Sequence, residues 1–216
     1  MVKLVKHNLL DFHNILLKEV ENVKKKIVIA DDEPITRIDL REILEEANYD
    51  VVGEATDGFD AVELCKKHLP DLVLMDIKMP LLDGINAANI IMEGELANSV
   101  ILLTAYSGKE FIEKAKVAGV MGYLVKPIDD KSLLPAVEIA LSKGKEIKKM
   151  KRDIKNANEK LESRKKIEKA KGILMRTNGM NEDEAYNKIR ALSMNKRVSM
   201  KEIADILIMS NSINNR

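Results

Sequence analysis

The chain has few of the residues that mark disulfide-bonded, membrane-spanning or aromatic-rich proteins. Its 216 residues include one cysteine, Cys65, and no tryptophan, and aromatic residues make up 3%. One cysteine excludes a disulfide framework and any metal site built from several thiolates, and it is typical of a reducing compartment. No apolar run approaches the ~20 residues that span a bilayer, and the first residues lack the pattern of a secretion signal. We therefore expect a soluble, cytoplasmic protein with no membrane partner.

The chain also lacks a large excess of positive or negative charge, since its formal net charge is +1. An apolar share of 45% is enough for a substantial core, and the length predicts one domain with a smaller module beside it. Residues 1–25 form a separate extension, in which apolar residues recur at helical spacing and predict an amphipathic helix. We assign no function to this extension.

Strand and helix patterns alternate between residues 26 and 143. Short apolar runs predict five strands, over residues 27–30, 50–55, 72–75, 99–103 and 121–125. Amphipathic segments predict helices over residues 34–47, 58–68, 84–93 and 108–118, and a fifth from Asp130 onward. Because right-handed crossovers place helices on both faces, the alternation predicts a doubly wound, five-stranded parallel sheet.

Charged and hydroxyl side chains follow four of the predicted strands, and they meet at one edge of a parallel sheet. Asp31 and Asp32 follow the first strand, Asp76 the third, Thr104 the fourth and Lys126 the fifth. Carboxylates gathered there would repel each other, and Mg²⁺ relieves such repulsion. With a cation from Lys126 and a hydroxyl donor from Thr104, the edge suits phosphoryl transfer onto Asp76. Taken singly, each residue is more simply a helix cap or a salt-bridge partner. Their joint occurrence favours the site, where Lys126–Pro127 is a candidate cis peptide.

These motifs resemble the receiver domain of two-component response regulators, which has a flavodoxin-like fold. The matching stretches are residues 28–34, 74–84, 103–106 and 122–127, within a domain of residues 26–143. The resemblance implies that Asp76 accepts phosphate from a sensor histidine kinase. It implies Mg²⁺ held by Asp32, Asp76 and the backbone carbonyl of Lys78, with Asp31 in support through water. It also implies that Thr104 and Tyr123 form a switch pair that responds to the phosphoryl group.

A linker helix over residues 144–163 follows the predicted receiver domain. Apolar residues continue at spacings of three and four and predict a short coiled-coil seam, formed by Ala140, Ile147, Met150, Ile154, Ala157 and Leu161. The alternative is a solvated helix folded against its own domain. Between Leu141 and Arg176 there are fourteen Lys and Arg residues against five Asp and Glu residues. Such an excess favours a polyanionic partner, although highly charged helices are common without one.

The last part of the chain, residues 164–216, predicts three helices. The first ends at Asn178–Gly179, the second is capped by Asn181 with Glu184, and the third by Ser199 with Glu202. A DNA-reading helix-turn-helix is disfavoured, because residues 204–208 offer almost nothing to base edges and too few residues follow for a further recognition helix. No nucleophile–base pair, metal cluster or glycine-rich loop follows Lys143, so we do not expect an enzymatic output.

This region resembles the ANTAR domain, an antiterminator output module, over residues 164–175, 184–186, 189–190 and 193–197. The resemblance implies binding to RNA hairpins in nascent leader transcripts, which prevents termination. We expect phosphorylation of Asp76 to favour a homodimer that pairs two such RNA-binding modules. Across both domains the chain is most similar to ethanolamine-utilisation response regulators. The alternative is a DNA-binding transcriptional response regulator. The candidate RNA-binding residues are Lys165, Lys166, Lys169, Lys171, Arg176, Arg190, Asn195, Lys196 and Arg197, with Tyr186 as a candidate for base stacking.

Overall fold

A computed structural model describes residues 24–105 and 118–214. The predicted N-terminal helix and nearly all of the predicted helix over residues 108–118 lie outside these residues. The chain divides into two compact units, residues 1–148 and 149–216. Each unit is described by itself below.

A five-stranded parallel sheet forms the centre of the first unit. The strands are β1 (Lys26–Ala30), β2 (Asp50–Ala55), β3 (Leu72–Asp76), β4 (Val100–Thr104) and β5 (Gly122–Val125). Their order across the sheet is β2-β1-β3-β4-β5, and every neighbouring pair is parallel. The predicted sheet is confirmed, with strand limits within one residue of those expected.

Apolar side chains cover both faces of this sheet because successive residues of a strand point to opposite sides. In β3, Val73 and Met75 join one core cluster, whereas Leu72 and Leu74 join the other, and all four are fully buried. Burial of one such side chain contributes about 1.5–3 kcal/mol. Two cores require helices on both faces, and the helices α1 (Pro34–Glu46), α2 (Gly58–His68) and α3 (Gly84–Glu93) follow β1, β2 and β3.

The long helix α4 (Asp130–Asn178) passes from the first unit into the second. Leu133, Val137 and Ala140 are buried in the core of the first unit. A Cβ atom at Gly144 would lie 2.9 Å from the carbonyl oxygen of Asn98, so this turn of the helix packs directly on backbone. The prediction that Ala140 belongs to the coiled-coil seam was wrong, because its side chain is part of the receiver core. In contrast, residues 148–162 are exposed on every side of the helix.

The second unit consists of the end of α4 with α5 (Glu182–Lys196) and α6 (Met200–Asn214). Its small core is built from residues of all three helices: Ala170, Leu174, Ala185, Ile189, Ile203 and Ala204. Both predicted capping boxes are confirmed, since Asn181 and Glu184 exchange hydrogen bonds of 2.9 Å and Ser199 and Glu202 do so at 3.2 and 2.8 Å. The third helix continues to Asn214, because no glycine or proline stops it after Leu207.

None of the helices in the described residues is long and apolar enough to cross a membrane. The longest helix, α4, is too highly charged to do so.

Candidate active site and nucleic-acid interface

Two carboxylates and one ammonium group meet at the carboxyl edge of the sheet. The Nζ atom of Lys126 lies 2.7 Å from Oδ2 of Asp31 and 2.7 Å from Oδ1 of Asp76. Asp31 is completely buried, Asp76 is nearly so, and the Lys126 side chain is only 18% exposed. The structure thus brings together three of the predicted site residues in a cluster largely shielded from water.

Backbone hydrogen bonds and a tight turn fix the position of Asp76. It is the last residue of β3, and the N–H of Lys78 donates a hydrogen bond of 2.6 Å to its Oδ2 atom. The chain then turns back, and the N–H of Gly84 donates to the carbonyl of Ile77 at 2.9 Å. A Cβ atom at Gly84 would lie 1.9 Å from the Asp76 carbonyl oxygen, so only glycine permits this approach. The turn therefore fixes the Asp76 carboxylate at the carboxyl edge of the sheet.

Lys126 reaches the two carboxylates from the end of β5. Its backbone N–H donates to the carbonyl of Thr104 at 2.8 Å, which ties the end of β5 to the end of β4. The Lys126–Pro127 peptide is cis, as predicted. The side chain of Thr104 is buried at the same edge, and Tyr123 lies half-exposed on β5. The two residues of the predicted switch therefore sit on adjacent strands, one inside and one outside.

The charges of the cluster shift one another's pKa values. Burial raises the pKa of Asp76, and the nearby Asp31 adds to that rise, although Lys126 and the Lys78 N–H oppose it. Burial on its own would lower the pKa of Lys126. Its contacts with Asp31 and Asp76 outweigh this and leave the pKa raised. The ammonium thus stays charged, and it opposes the rise in the Asp76 pKa more than any other group does.

The donor set fits a hard cation such as Mg²⁺, which takes few protein oxygens and completes its shell with water and phosphate oxygens. Oδ2 of Asp31 is buried and has its ion pair with Lys126 but no hydrogen bond of good geometry. Asp32 lies exposed beside it. In residues 24–105 and 118–214, no three Asp, Glu, His or Cys side chains converge closely enough to form a metal site by themselves. The ammonium of Lys126 lies between Asp31 and Asp76.

Arg37 is a residue of this region that the sequence patterns did not single out. Its Nη1 atom donates a hydrogen bond of 2.7 Å to the backbone carbonyl of Asp31. Helical side chains point toward the N-terminus of their helix, so an arginine one turn into α1 can reach back over the end of β1. This direction, together with the spacing of six residues from Asp31, is the signal that could have identified it.

The second unit exposes most of the predicted basic surface. The side chains that lie open to solvent are those of Lys165, Lys169, Arg176, Arg190, Asn195, Lys196 and Arg197. Tyr186 is half-exposed on α5. These residues come from the end of α4, from α5 and from the turn after α5, so the surface belongs to the folded unit and not to α4 alone.

Two predicted lysines have structural partners instead. The Lys171 side chain is only 8% exposed, and its Nζ atom lies 2.9 Å from Glu168 and 2.7 Å from Glu182. This placement counts against the prediction that Lys171 binds RNA, because its ammonium is already paired with carboxylates of α4 and α5. Lys166 is half-buried and lies 2.7 Å from Asp205, which joins α4 to α6.

Comparison with known proteins finds two domains in the chain, as the sequence motifs predicted. The profile of the response regulator receiver domain matches residues 27–138, and that of the ANTAR domain matches residues 155–208. The transcriptional regulatory protein PdtaR of Mycobacterium tuberculosis is 44% identical over 186 residues, which cover 86% of this chain and 90% of that protein.

Two solved structures resemble the first unit. One is the receiver domain of the putative response regulator NarL from Mycobacterium tuberculosis, with a TM-score of 0.53 and 33% identity over 55% of this chain and 97% of that one. The other is the CheX–CheY–BeF₃–Mg²⁺ complex from Borrelia burgdorferi, with a TM-score of 0.50 and 31% identity over 52% of this chain and 86% of that one. With its receiver fold, its acidic site and its C-terminal ANTAR match, the chain belongs to the two-component response regulators that carry an ANTAR output domain.

Proposed function

We propose that Asp76 takes a phosphoryl group from a sensor histidine kinase, and that the phosphorylated dimer binds tandem RNA hairpins in nascent leader transcripts and prevents termination. One observation carries this proposal: the same chain contains a buried Asp31–Lys126–Asp76 cluster and a helical unit whose exposed surface is basic. The receiver accepts and slowly hydrolyses its own phosphoryl group, and the protein is not an enzyme in the usual sense.

In the transfer step, an oxygen of Asp76 attacks the phosphorus of a phosphohistidine in line with the phosphorus–nitrogen bond. A phosphorus–oxygen bond forms as the phosphorus–nitrogen bond breaks, and the imidazole leaves with the electron pair and takes up a proton. Lys126, 2.7 Å from Asp76, is placed to neutralise the oxygens of the transferred group, and Thr104 to donate a hydroxyl. Such preorganised charge is the largest contribution that a protein makes to phosphoryl transfer.

Asp32, Asp76 and the Lys78 carbonyl would hold Mg²⁺, with Asp31 acting through water. When bound, this cation supplies further charge neutralisation for the phosphoryl oxygens. The Borrelia CheY structure is described as a complex with BeF₃ and Mg²⁺, which supports Mg²⁺ as the cation of this site.

An apolar patch beside the site supports a protein as the phosphoryl donor. Ile35 is 74% exposed and Ile38 is 61% exposed, and both lie in the first turns of α1, immediately after Asp31–Asp32–Glu33. Apolar side chains next to a polar reactive site are typical of a docking surface. A kinase domain that covers them would bring its phosphohistidine to Asp76.

The exposed part of α4 supports a dimer. Met150, Ile154 and Leu161 are each at least half-exposed, although all three are large and apolar. With Ile147 and Ala157 they recur at alternating spacings of three and four, which is the spacing of a two-stranded coiled coil. A second copy of the chain would cover this stripe and bring two basic units into one particle.

A dimer suits tandem hairpins because two linked weak contacts bind far more tightly than one. Lys169, Arg176, Arg190, Lys196 and Arg197 supply exposed cations for phosphates, and Tyr186 supplies a ring on which an unpaired base can stack. We propose that the protein acts in the cytoplasm, where leader transcripts are made. A role in ethanolamine utilisation stays a prediction.

The test is labelling with acetyl phosphate and Mg²⁺, followed by sedimentation and RNA binding. We expect the unaltered chain to gain one base-labile phosphoryl group that hydroxylamine removes, to dimerise and to retard a tandem-hairpin RNA. Asp76→Ala should do none of these, whereas the matched change Asp60→Ala, at an exposed acid on α2, should leave all three intact. Tighter binding to duplex DNA than to the hairpins at equal salt would reject the RNA proposal and favour a DNA-binding regulator.

A further inference from the structure

Arg37 links the end of β1 to its neighbouring strand. Its Nη1 atom donates to the carbonyl of Asp31 at 2.7 Å, and its Nε atom donates to Oε2 of Glu54 on β2 at 3.1 Å. The side chain is only 14% exposed. A guanidinium has fixed donor directions, so one group that bonds two strands holds them in a defined relation.

The carbonyl that Arg37 binds belongs to a residue of the acidic site. Asp31 lies one residue beyond β1, and its N–H donates to the carbonyl of Ala55 at 3.1 Å. Its carboxylate accepts from the N–H of Glu33 at 3.0 Å and pairs with Lys126. With Arg37 on the carbonyl, both backbone polar groups of Asp31 are engaged, and the direction of its side chain toward Lys126 is fixed.

We propose that Arg37 is a positioning residue of the phosphoacceptor site, acting on Asp31 through its backbone. This inference rests on the proposed function of Asp76. The guanidinium of Arg37 is committed to the Asp31 carbonyl and to Glu54, and Glu54 matches its charge, so its effect on the site is geometric. Loss of the Arg37–Asp31 bond frees the Asp31 backbone to rotate, which loosens the carboxylate that helps to hold Lys126 and a cation. Substitution of a residue that orients the ligands of a metal typically weakens metal binding by about 10- to 100-fold.

The same helix provides a matched control. Arg41 lies one turn further along α1, and its Nε atom donates to the other oxygen of Glu54 at 2.6 Å. It also donates to Glu45 on its own helix at 3.2 Å, whereas the donor to the Asp31 carbonyl is Arg37. Arg37→Met and Arg41→Met remove the same charge from the same ion-pair network, and only the first removes the bond to Asp31.

The experiment titrates MgCl₂ into each full-length variant by calorimetry and measures acetyl phosphate labelling against Mg²⁺ concentration. We expect Arg37→Met to weaken Mg²⁺ binding about tenfold, and Arg41→Met by less than about twofold. Arg37→Lys should recover part of the loss, since an ammonium can bond one of the two acceptors. If Arg37→Met does not fold, Arg37→Lys against Arg41→Lys makes the comparison with a smaller expected difference, because the lysine keeps one of the two bonds.

Equal Mg²⁺ affinity in the Arg37 and Arg41 variants would overturn the positioning role, whether both are normal or both are weakened. If the unaltered chain is labelled on Asp76 and the variants do not differ, the role of Arg37 fails and the proposed function stands. If the Arg37 variant alone binds Mg²⁺ weakly but no chain is labelled, the proposed function fails and the positioning role stands. If the unaltered chain binds no Mg²⁺, both fail.

Discussion

In the receiver, two carboxylates each lie 2.7 Å from one ammonium group in a space shielded from water, whereas in the ANTAR unit most cations lie exposed along separate helices. Charges in the first region interact strongly because little water screens them, and each depends on the others. Charges in the second are individually weak and act by number on a polyanion. The same substitution, loss of one lysine, should therefore have very different effects in the two regions.

The largest effect is expected for Lys126→Met. Without the ammonium, Asp31 and Asp76 face each other unneutralised, and labelling by acetyl phosphate should fall at least about 100-fold. Stability at pH 7 should fall by about 3–5 kcal/mol, the usual consequence of leaving a buried charge without its partner. Denaturant unfolding of the full chain and gel-based labelling measure the two effects. Lys143→Met, which removes only an exposed contact with Glu146, should change neither.

The pH dependence of that variant gives an independent check. The pKa of Asp76 is already raised by burial, and loss of Lys126 raises it further. A folded state whose carboxyl has a raised pKa binds more protons than the unfolded chain, so its stability increases as the pH falls through that pKa. The deficit of Lys126→Met relative to the unaltered chain should thus shrink as the pH falls from 7 toward the ordinary pKa of an aspartate. A deficit that stays constant would show that Lys126 acts by packing and not by charge.

The next effect concerns the exposed stripe of α4. Ile154→Asn places an amide in the middle of the proposed seam, and we expect the dimerisation constant of the phosphorylated chain to weaken at least about tenfold. Sedimentation measures this directly. Lys155→Asn, at the neighbouring position outside the seam, is the control for helix propensity. A dimer that is unchanged by Ile154→Asn would place the interface elsewhere.

A third change tests docking of the kinase that donates the phosphoryl group separately from the chemistry of the acceptor site. Ile35→Ser with Ile38→Ser removes the apolar patch beside the site but none of its charges. Transfer from a phosphorylated kinase should slow about tenfold, because two exposed apolar anchors are lost, while labelling by acetyl phosphate stays the same. Kinase transfer and chemical labelling measured in parallel decide this. Equal losses in both assays would mean that the patch supports the site's structure and not docking.

The contrast between the regions also explains what the sequence could predict. The acidic site was found because Asp31, Asp76 and Lys126 each lie at the carboxyl end of a predicted strand, and parallel strands end at one edge whatever the details of packing. Arg37 was missed because its role depends on a side-chain direction and a backbone carbonyl, which leave no pattern of their own. Ala140 was misassigned because a seam and a core share helical spacing, so periodicity does not show where α4 leaves the receiver.

Lys169 and Lys171 show the same limit of sequence-based prediction in the ANTAR unit. A count of charges treats both as part of one basic stripe. The structure separates them, because Lys169 is exposed whereas Lys171 lies between Glu168 and Glu182. Those two carboxylates raise the pKa of Lys171, so its charge is already engaged within the protein.

The smallest effects come from changing these two lysines one at a time to methionine. Lys169→Met should weaken binding to the hairpin RNA a few-fold and reduce the slope of log affinity against log salt by about 1, since one phosphate contact is lost. Lys171→Met should leave that slope unchanged and instead lower the hydrogen-exchange protection of α5, which loses its link to α4. If Lys171→Met also reduces the slope with normal protection of α5, the ammonium leaves Glu182 to meet the RNA, and the division between structural and binding lysines is wrong.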